Sequence, residues 1–315
     1  MMRVNYLTLL IFVALLSSCQ REAGVPGLPH LPENGQAISL LGDTLYTPSV
    51  FLDDFDDLNS HIQESRDAYH ADPEDAESLI MMGRSTAATG DYRDAIMIFN
   101  EGIEKHPDDP RMYRHRGHRY LTLREFDRAI EDFTTAEEQM EQRADEPEPD
   151  LFQGPQGAPA STLKSNVWYH LGLAHYFQED FAEASNQFQK ILDPEVVTDL
   201  EIAALCWNYM ALKRAGRDLE AGQLLDHVTE NSDLQDEDVY LNLLLVFKGV
   251  FDPDYLMESS PEAMQNATLA YGIGNWHYMN GRRDRAMSIW RDLYQTNRAQ
   301  WPVFGYIAAE AELAR

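Results

Sequence analysis

Basic residues are scarce in this sequence. Its 315 residues include 53 Asp and Glu but only 25 Lys and Arg, which gives a formal net charge of -28. A nucleic acid partner requires a basic surface that neutralises phosphates, so this balance argues against nucleic acid binding. The same balance argues against adhesion of the protein surface to anionic lipid headgroups.

Motifs that carry catalysis are missing as well. The sequence has no Gly-rich phosphate loop, no Gly-x-Ser-x-Gly elbow, no His-Glu-x-x-His pair and no cysteines at metal-binding spacing. His115 and His118 share a helix face, and His170 and His175 lie in the next predicted helix, but such histidines more often line a surface than bind a metal. We therefore predict a non-enzymatic protein with no cofactor and no metal.

No apolar run is long enough to cross a bilayer. The N-terminal run from Leu7 to Leu16 is uncharged but short, whereas a membrane-spanning helix needs about 20 apolar residues. It follows a single positive charge at Arg3, which is typical of a secretory signal. We predict that residues 1–18 are a signal peptide.

Residues 16–19, Leu-Ser-Ser-Cys, resemble the lipobox of bacterial lipoproteins. The resemblance implies that Cys19 carries a lipid and that the lipid is the protein's only link to a membrane. The alternative is an ordinary cleaved signal beside an incidental cysteine. Gln20 at the next position implies delivery to the outer membrane, facing the periplasm, under the proteobacterial sorting rule. With Cys19 lipidated, it cannot form an intramolecular disulfide with Cys206, the second of the two cysteines.

Two segments separate the signal from the repeats. Residues 19–47 are rich in Gly and Pro and show no sustained apolar period, so we predict a lipidated cysteine followed by a flexible tether. Apolar residues at helical spacing predict a leading helix over residues 48–72.

An internal period of about 34 residues follows the leading helix. Gly83 and Gly117 stand one period apart, and so do Ala95 and Ala129. Small residues let two antiparallel helices approach, large apolar residues fill the space beside them, and Pro107 ends the second helix. The pattern resembles the tetratricopeptide repeat.

The resemblance implies an all-α, right-handed superhelical solenoid of about five to six helix pairs. Residues 73–140 would hold the first two repeats, 141–162 an acidic Pro- and Gly-rich insertion loop, and 163–300 further repeats, one of them degenerate. Residues 301–315 would form a capping helix over the exposed core edge. The insertion is either a loop without a role or a loop that takes part in binding.

In this family the first helix of each pair lines a concave groove. Carried onto this sequence, that rule predicts a basic and aromatic strip in an otherwise acidic protein, formed by Arg84, Arg111, Arg114, His118, Tyr169, Tyr176, Lys213, Tyr271, Asn275 and Tyr278. Arginine forks bind carboxylates and tyrosine rings give rigid contact area, so the strip favours an acidic or extended peptide. The alternative is that these positions are occupied only for packing.

We therefore predict a scaffold lipoprotein of the bacterial cell envelope that binds a protein or peptide partner in its groove. The alternative function is a receptor for a small solute or glycan in an outer-membrane uptake system.

Overall fold

A computed structural model describes residues 24–48, 55–148, 161–192, 198–228, 239–258 and 266–315. The predicted signal peptide, Cys19 and most of the insertion loop lie outside these residues. Within them the chain forms fourteen α-helices and one two-stranded β-hairpin. None of the helices in these ranges has both the length and the apolar character required to cross a membrane.

The helices of the described residues fall into six successive pairs between a leading helix, α1 (Phe55–Ala71), and a final helix, α14 (Phe304–Leu313). This arrangement confirms the predicted all-α repeat fold. The pairs are α2 (Ala76–Ala88) with α3 (Tyr92–Lys105), α4 (Pro110–Thr122) with α5 (Phe126–Met140), α6 (Leu163–Phe177) with α7 (Phe181–Gln189), α8 (Asp199–Arg214) with α9 (Asp218–Leu224), α10 (Val239–Lys248) with α11 (Pro253–Glu258), and α12 (Ala267–Met279) with α13 (Arg283–Thr296).

In five of the six described pairs the first helix begins at a side-chain cap. Asp75, Asp109, Thr162, Thr198 and Asn266 each accept a hydrogen bond from a backbone N–H in the first turn of the helix that follows. Such a cap satisfies a donor that has no partner inside the helix, and it stabilises the helix by about 1 kcal/mol. The starts of these helices are therefore set locally by the sequence.

The two helices of a pair meet where a glycine of the first helix faces an aromatic ring of the second. A Cβ atom at these glycines would lie 2.3 to 3.0 Å from the ring, so no larger residue fits. The contacts are Gly83 with Phe99, Gly117 with Phe133, Gly172 with Phe188, and Gly274 with Trp290. The predicted small residues at the helix crossings are thus confirmed.

A left-handed residue turns the chain between the helices of each described pair. Four of these turns use glycine, which adopts positive φ without strain. The other two use Arg124 at φ 68° and Glu179 at φ 65°. These two positions carry charge where the repeat elsewhere carries glycine, at Gly90, Gly216, Gly249 and Gly281.

The predicted tether is wrong for residues 24–48, because this segment is packed against the helices. Its strands β1 (Gly35–Ile38) and β2 (Thr44–Tyr46) pair as an antiparallel hairpin. Ser39 Oγ lies 3.0 Å from the Tyr294 hydroxyl, and Trp301 Nε1 donates to the Tyr46 carbonyl oxygen at 2.9 Å. Short strands with buried alanine and leucine supply too few apolar residues for the sequence to show a period.

The final helix is also placed differently from the prediction. A capping helix would bury one face, but α14 is buried on every side from Gly305 to Glu312. A Cβ atom at Gly305 would lie 2.4 Å from the carbonyl oxygen of Ala267, so α14 lies directly against the backbone of α12. The helix therefore fills the inside of the stack rather than covering its end.

The close contact of Gly172 with Phe188 makes a first prediction. In Gly172→Ala the new methyl group would meet ring atoms 2.7 Å away, so we expect the free energy of unfolding to fall by about 1–3 kcal/mol in urea titrations.

The matched control is Gly222→Ala in α9, where no atom of the described residues lies within 4 Å of the new Cβ. There the better helix propensity of alanine should leave stability unchanged or raise it by up to about 1 kcal/mol. Equal effects of the two substitutions would contradict the prediction.

Candidate functional site

Four residues of the predicted strip are buried inside the protein. Tyr169, Tyr176, Tyr271 and Asn275 are between 0% and 5% exposed. The Tyr176 and Tyr271 hydroxyls lie 2.7 Å apart, and Asn275 Nδ2 donates to the Tyr176 hydroxyl at 2.9 Å. These side chains hold α6 against α12, so the expectation that they form an open groove is corrected.

The far end of the strip is occupied by an ion pair that the sequence analysis missed. The Arg214 guanidinium lies 4.7 Å from the Phe181 ring centroid and 4.6 Å from that of Tyr278. It also binds the carboxylate of Glu312 in α14. Lys213, the predicted strip residue beside it, is half-buried and binds Asp218. Tyr278 and Lys213 are therefore engaged within the chain.

A cluster of three rings, with His170 buried and His118 and Phe304 half-buried, marks the middle of the strip. The rings of His118 and His170 lie 4.2 Å apart, and that of Phe304 lies 5.7 and 5.6 Å from them. Burial lowers the pKa of both histidines, with Arg119 adding to the effect for His118 and Arg114 for His170. Both imidazoles are therefore neutral at pH 7. Across the described ranges, no three His, Cys, Asp or Glu side chains are grouped to hold a metal.

The N-terminal end of the strip borders a cavity of about 220 Å³. Arg84 and Arg111 are the arginines of its lining, which also includes His115 and the apolar Ile80 and Met81. Glu77, Glu146 and Glu148 are also at its border. The cavity lies among α1, α2, α4, the start of the insertion and α6. Of the predicted strip residues, Arg84 and Arg111 thus remain at a space that a partner could enter.

Arg111 is held in place at this cavity by two carboxylates. Its Nη1 lies 2.8 Å from Glu77 Oε2, and its Nη2 lies 2.7 Å from Asp109 Oδ2. Asp109 also caps the first turn of α4, so the helix start and the guanidinium share one carboxylate. The Arg111 side chain keeps 32% of its surface exposed. A fixed guanidinium with remaining exposure is suited to binding a further acceptor.

Deeper in the site, Arg114 and His115 contact Glu148, a residue of the insertion. Glu148 Oε1 lies 3.1 Å from Arg114 Nε and 3.4 Å from His115 Nε2. Arg114 Nη1 lies 3.1 Å from His115 Nδ1. Since a guanidinium can only donate, Nδ1 accepts and the imidazole proton is on Nε2, facing the carboxylate. Burial, followed by Arg114, lowers the pKa of His115.

The sequence contains one indication of the ion pairs with the C-terminal end of the chain, which the sequence-based prediction did not include. Arg124 and Glu179 occupy turn positions where the other repeats have glycine, and both bind residues at the C-terminal end of the chain: Arg124 binds Glu310, and Glu179 binds Arg315. A charged residue at a position that favours glycine indicates a side chain retained for a contact.

The repeat pattern agrees with known proteins. Residues 80–147 match the family model described as tetratricopeptide repeat. These residues form tetratricopeptide repeats. The match spans α3, α4 and α5 and most of α2. Of the four later helix pairs, α6 with α7 and α12 with α13 repeat the contact of a glycine with an aromatic ring.

Several solved structures resemble this chain at low identity, and the first two below are described as tetratricopeptide repeat proteins. A protein from Parabacteroides merdae ATCC 43184 is 15% identical over 82% of this chain and 94% of its own, with a TM-score of 0.49. YrrB, described as having an unusual peptide-binding site, is 15% identical over 73% and 91%, with a TM-score of 0.41. Pseudomonas aeruginosa pilF is 14% identical over 76% and 91%, with a TM-score of 0.42. At this similarity their binding properties do not transfer to this chain.

The neutral histidines of the cluster predict a pH dependence. The pKa of His118 and of His170 is lower in the folded protein than in the unfolded chain, where it is about 6.5. Protons therefore bind the unfolded chain preferentially, and stability present above pH 6.5 is lost as the pH falls. Below pH 6.5 we expect each histidine to lower the free energy of unfolding by up to about 1.4 kcal/mol for each pH unit.

Urea titrations of the double variant His118→Gln/His170→Gln should show a smaller loss of stability between pH 7 and pH 5 than the parent protein. His70→Gln, at an exposed position in α1, is the control and should keep the parental slope. An unchanged slope in the double variant would contradict the assignment.

Proposed function

We propose that this chain is a non-enzymatic adaptor lipoprotein of the bacterial cell envelope, anchored through Cys19, which binds an extended peptide segment of a protein partner at the N-terminal cavity. The repeat fold supports a role in protein–protein interaction. The observation that carries the choice of site is the cavity itself, which Arg84 and Arg111 of the predicted strip line.

The size of the cavity favours part of a peptide over a whole solute. At about 220 Å³ it is smaller than the roughly 300–1,000 Å³ typical of small-molecule sites. It suits one or two side chains of a segment whose remainder lies across α2 and α4. A receptor for a small solute or glycan is therefore the less favoured function.

Lipidation of Cys19 would keep the folded body close to the membrane. Gly24 is the first described residue and follows Cys19 by five positions, a stretch that covers at most about 18 Å. Because residues 24–48 are packed, the long reach expected of a tether is not available. Partners would therefore be other components at the membrane surface.

The lipid anchor is tested by Cys19→Ser. We expect this variant to lose incorporation of labelled palmitate and to leave the membrane fraction, because the acyl chains supply the membrane affinity. Cys206→Ser, at the buried cysteine, should keep both properties. Retention of Cys19→Ser in a detergent-extractable membrane pool would contradict the proposal.

The binding site is tested by Arg84→Ala/Arg111→Ala in the otherwise unchanged protein. Crosslinking in native membranes followed by mass spectrometry should recover a protein partner with the parent and at least about tenfold less with the variant, since charged hydrogen bonds contribute about 1.5–3 kcal/mol. Arg66→Ala, which removes an exposed arginine from α1, is the matched control. Equal recovery with all three proteins would place the partner elsewhere.

A further inference from the structure

The insertion between the second and third repeats begins by passing over the cavity. Its two ends pair as a short antiparallel neck: Glu148 N–H donates to the Ser161 carbonyl oxygen at 3.0 Å, and Leu163 N–H donates to that of Glu146 at 2.9 Å. Pro147 and Thr162 face each other in this bridge. The backbone of the neck is thus fixed by its own hydrogen bonds, independently of where the Glu148 side chain points.

The Glu148 side chain is directed inward onto Arg114 and His115. It is 10% exposed, as is the side chain of Arg114, and His115 is 9% exposed. In a protein of net charge -28, the insertion thus supplies a carboxylate to the place where the sequence predicted a site for an acidic ligand.

The fit of this carboxylate is incomplete. Arg114 Nε and Glu148 Oε1 are within ion-pair distance, yet among the residues that the structure describes neither Arg114 Nε nor Glu148 Oε2 has a hydrogen-bond partner, and both atoms are buried. Buried polar atoms are nearly always hydrogen-bonded in native proteins, so two such atoms in one contact are exceptional. A carboxylate aligned with the guanidinium fork would form hydrogen bonds with two of its nitrogens, and within the described residues no such pair of bonds joins Glu148 to Arg114.

We propose that Glu148 is a resident substitute for a carboxylate of the partner, and that the partner segment displaces it from Arg114 and His115. This inference rests on the proposed function and names the partner's chemistry: an extended acidic segment. Residues 145–150 of this chain, Asp-Glu-Pro-Glu-Pro-Asp, are an example of such an acidic segment. Displacement requires only rotation of the Glu148 side chain, because the neck bonds involve backbone atoms.

When Glu148 occupies the site, the protein binds a carboxylate of an external peptide with lower apparent affinity. The observed dissociation constant equals the intrinsic value divided by the fraction of molecules in which the site is empty. Removing the Glu148 carboxylate while keeping Arg114 should therefore strengthen the binding of an external acidic peptide.

The probe is a synthetic peptide of residues 144–149 with blocked termini, titrated into the chain of residues 20–315. We expect Glu148→Ala to bind it at least about tenfold more tightly than the parent does, with Glu148→Gln between them. The same peptide with glutamine at position 148 should bind none of the proteins measurably. Glu141→Ala, which removes an exposed carboxylate near the start of the insertion, is the matched control and should bind like the parent.

Stability gives a second measurement, since Glu148→Ala leaves a buried guanidinium without its carboxylate. The peptide should raise the Tm of Glu148→Ala more than that of the parent, because a ligand stabilises the state that it binds. Glu148→Ala/Arg114→Leu removes both charges and should gain no Tm from the peptide.

Equal peptide affinity for the parent and Glu148→Ala, or binding to neither, would overturn the inference. The proposed function is judged separately by the Arg84→Ala/Arg111→Ala crosslinking. Loss of the partner in that variant, together with a negative peptide result, would keep the adaptor function and remove the role of Glu148.

Discussion

Arg124 and Glu310 form an ion pair that water hardly reaches, with side chains 2% and 0% exposed. Burial of two charges costs several kcal/mol per ion unless their remaining atoms find partners. Here they do: Arg124 also donates to the carbonyl oxygens of Thr122 and Trp301, and Glu310 accepts the Leu40 N–H at 2.7 Å. The pair thereby joins the turn of the second repeat, the final helix and the N-terminal hairpin, and each depends on the other two being in place.

The same constraint explains the two unusual turns and the shape of the binding site. Non-glycine residues in the left-handed region cost about 1–3 kcal/mol each, and here Arg124 and Glu179 adopt that conformation where they contact Glu310 and Arg315. These contacts hold the final helix within the stack. An open solenoid would present a groove along its whole length, whereas this chain fills most of that groove itself and leaves the cavity beside Arg111.

The features that sequence predicted well are those made by neighbours along the chain. The repeat period is readable because Gly83 meets Phe99 within one helix pair, and the caps act within one helical turn. The prediction placed Tyr176 and Tyr271 in an open strip, because the sequence does not show that their hydroxyls, in different repeats, form a hydrogen bond with each other. Likewise, Gly- and Pro-rich composition suggested a tether, because the helices that order much of residues 24–48 lie near the opposite end of the sequence. Nothing local to Glu148 indicated which arginine it would face.

The N-terminal hairpin has a consequence for how the protein comes to its native state. Repeat arrays generally fold from local contacts, and each unit can form beside its neighbour as the chain emerges. In this chain Ser39 must find Tyr294, and the Leu40 amide must find Glu310, each close to the other end of the sequence. These contacts cannot exist until nearly the whole polypeptide has been made. The hairpin therefore makes a modular array depend on contacts between distant parts of the sequence, which a chain that ends before Tyr294 cannot form.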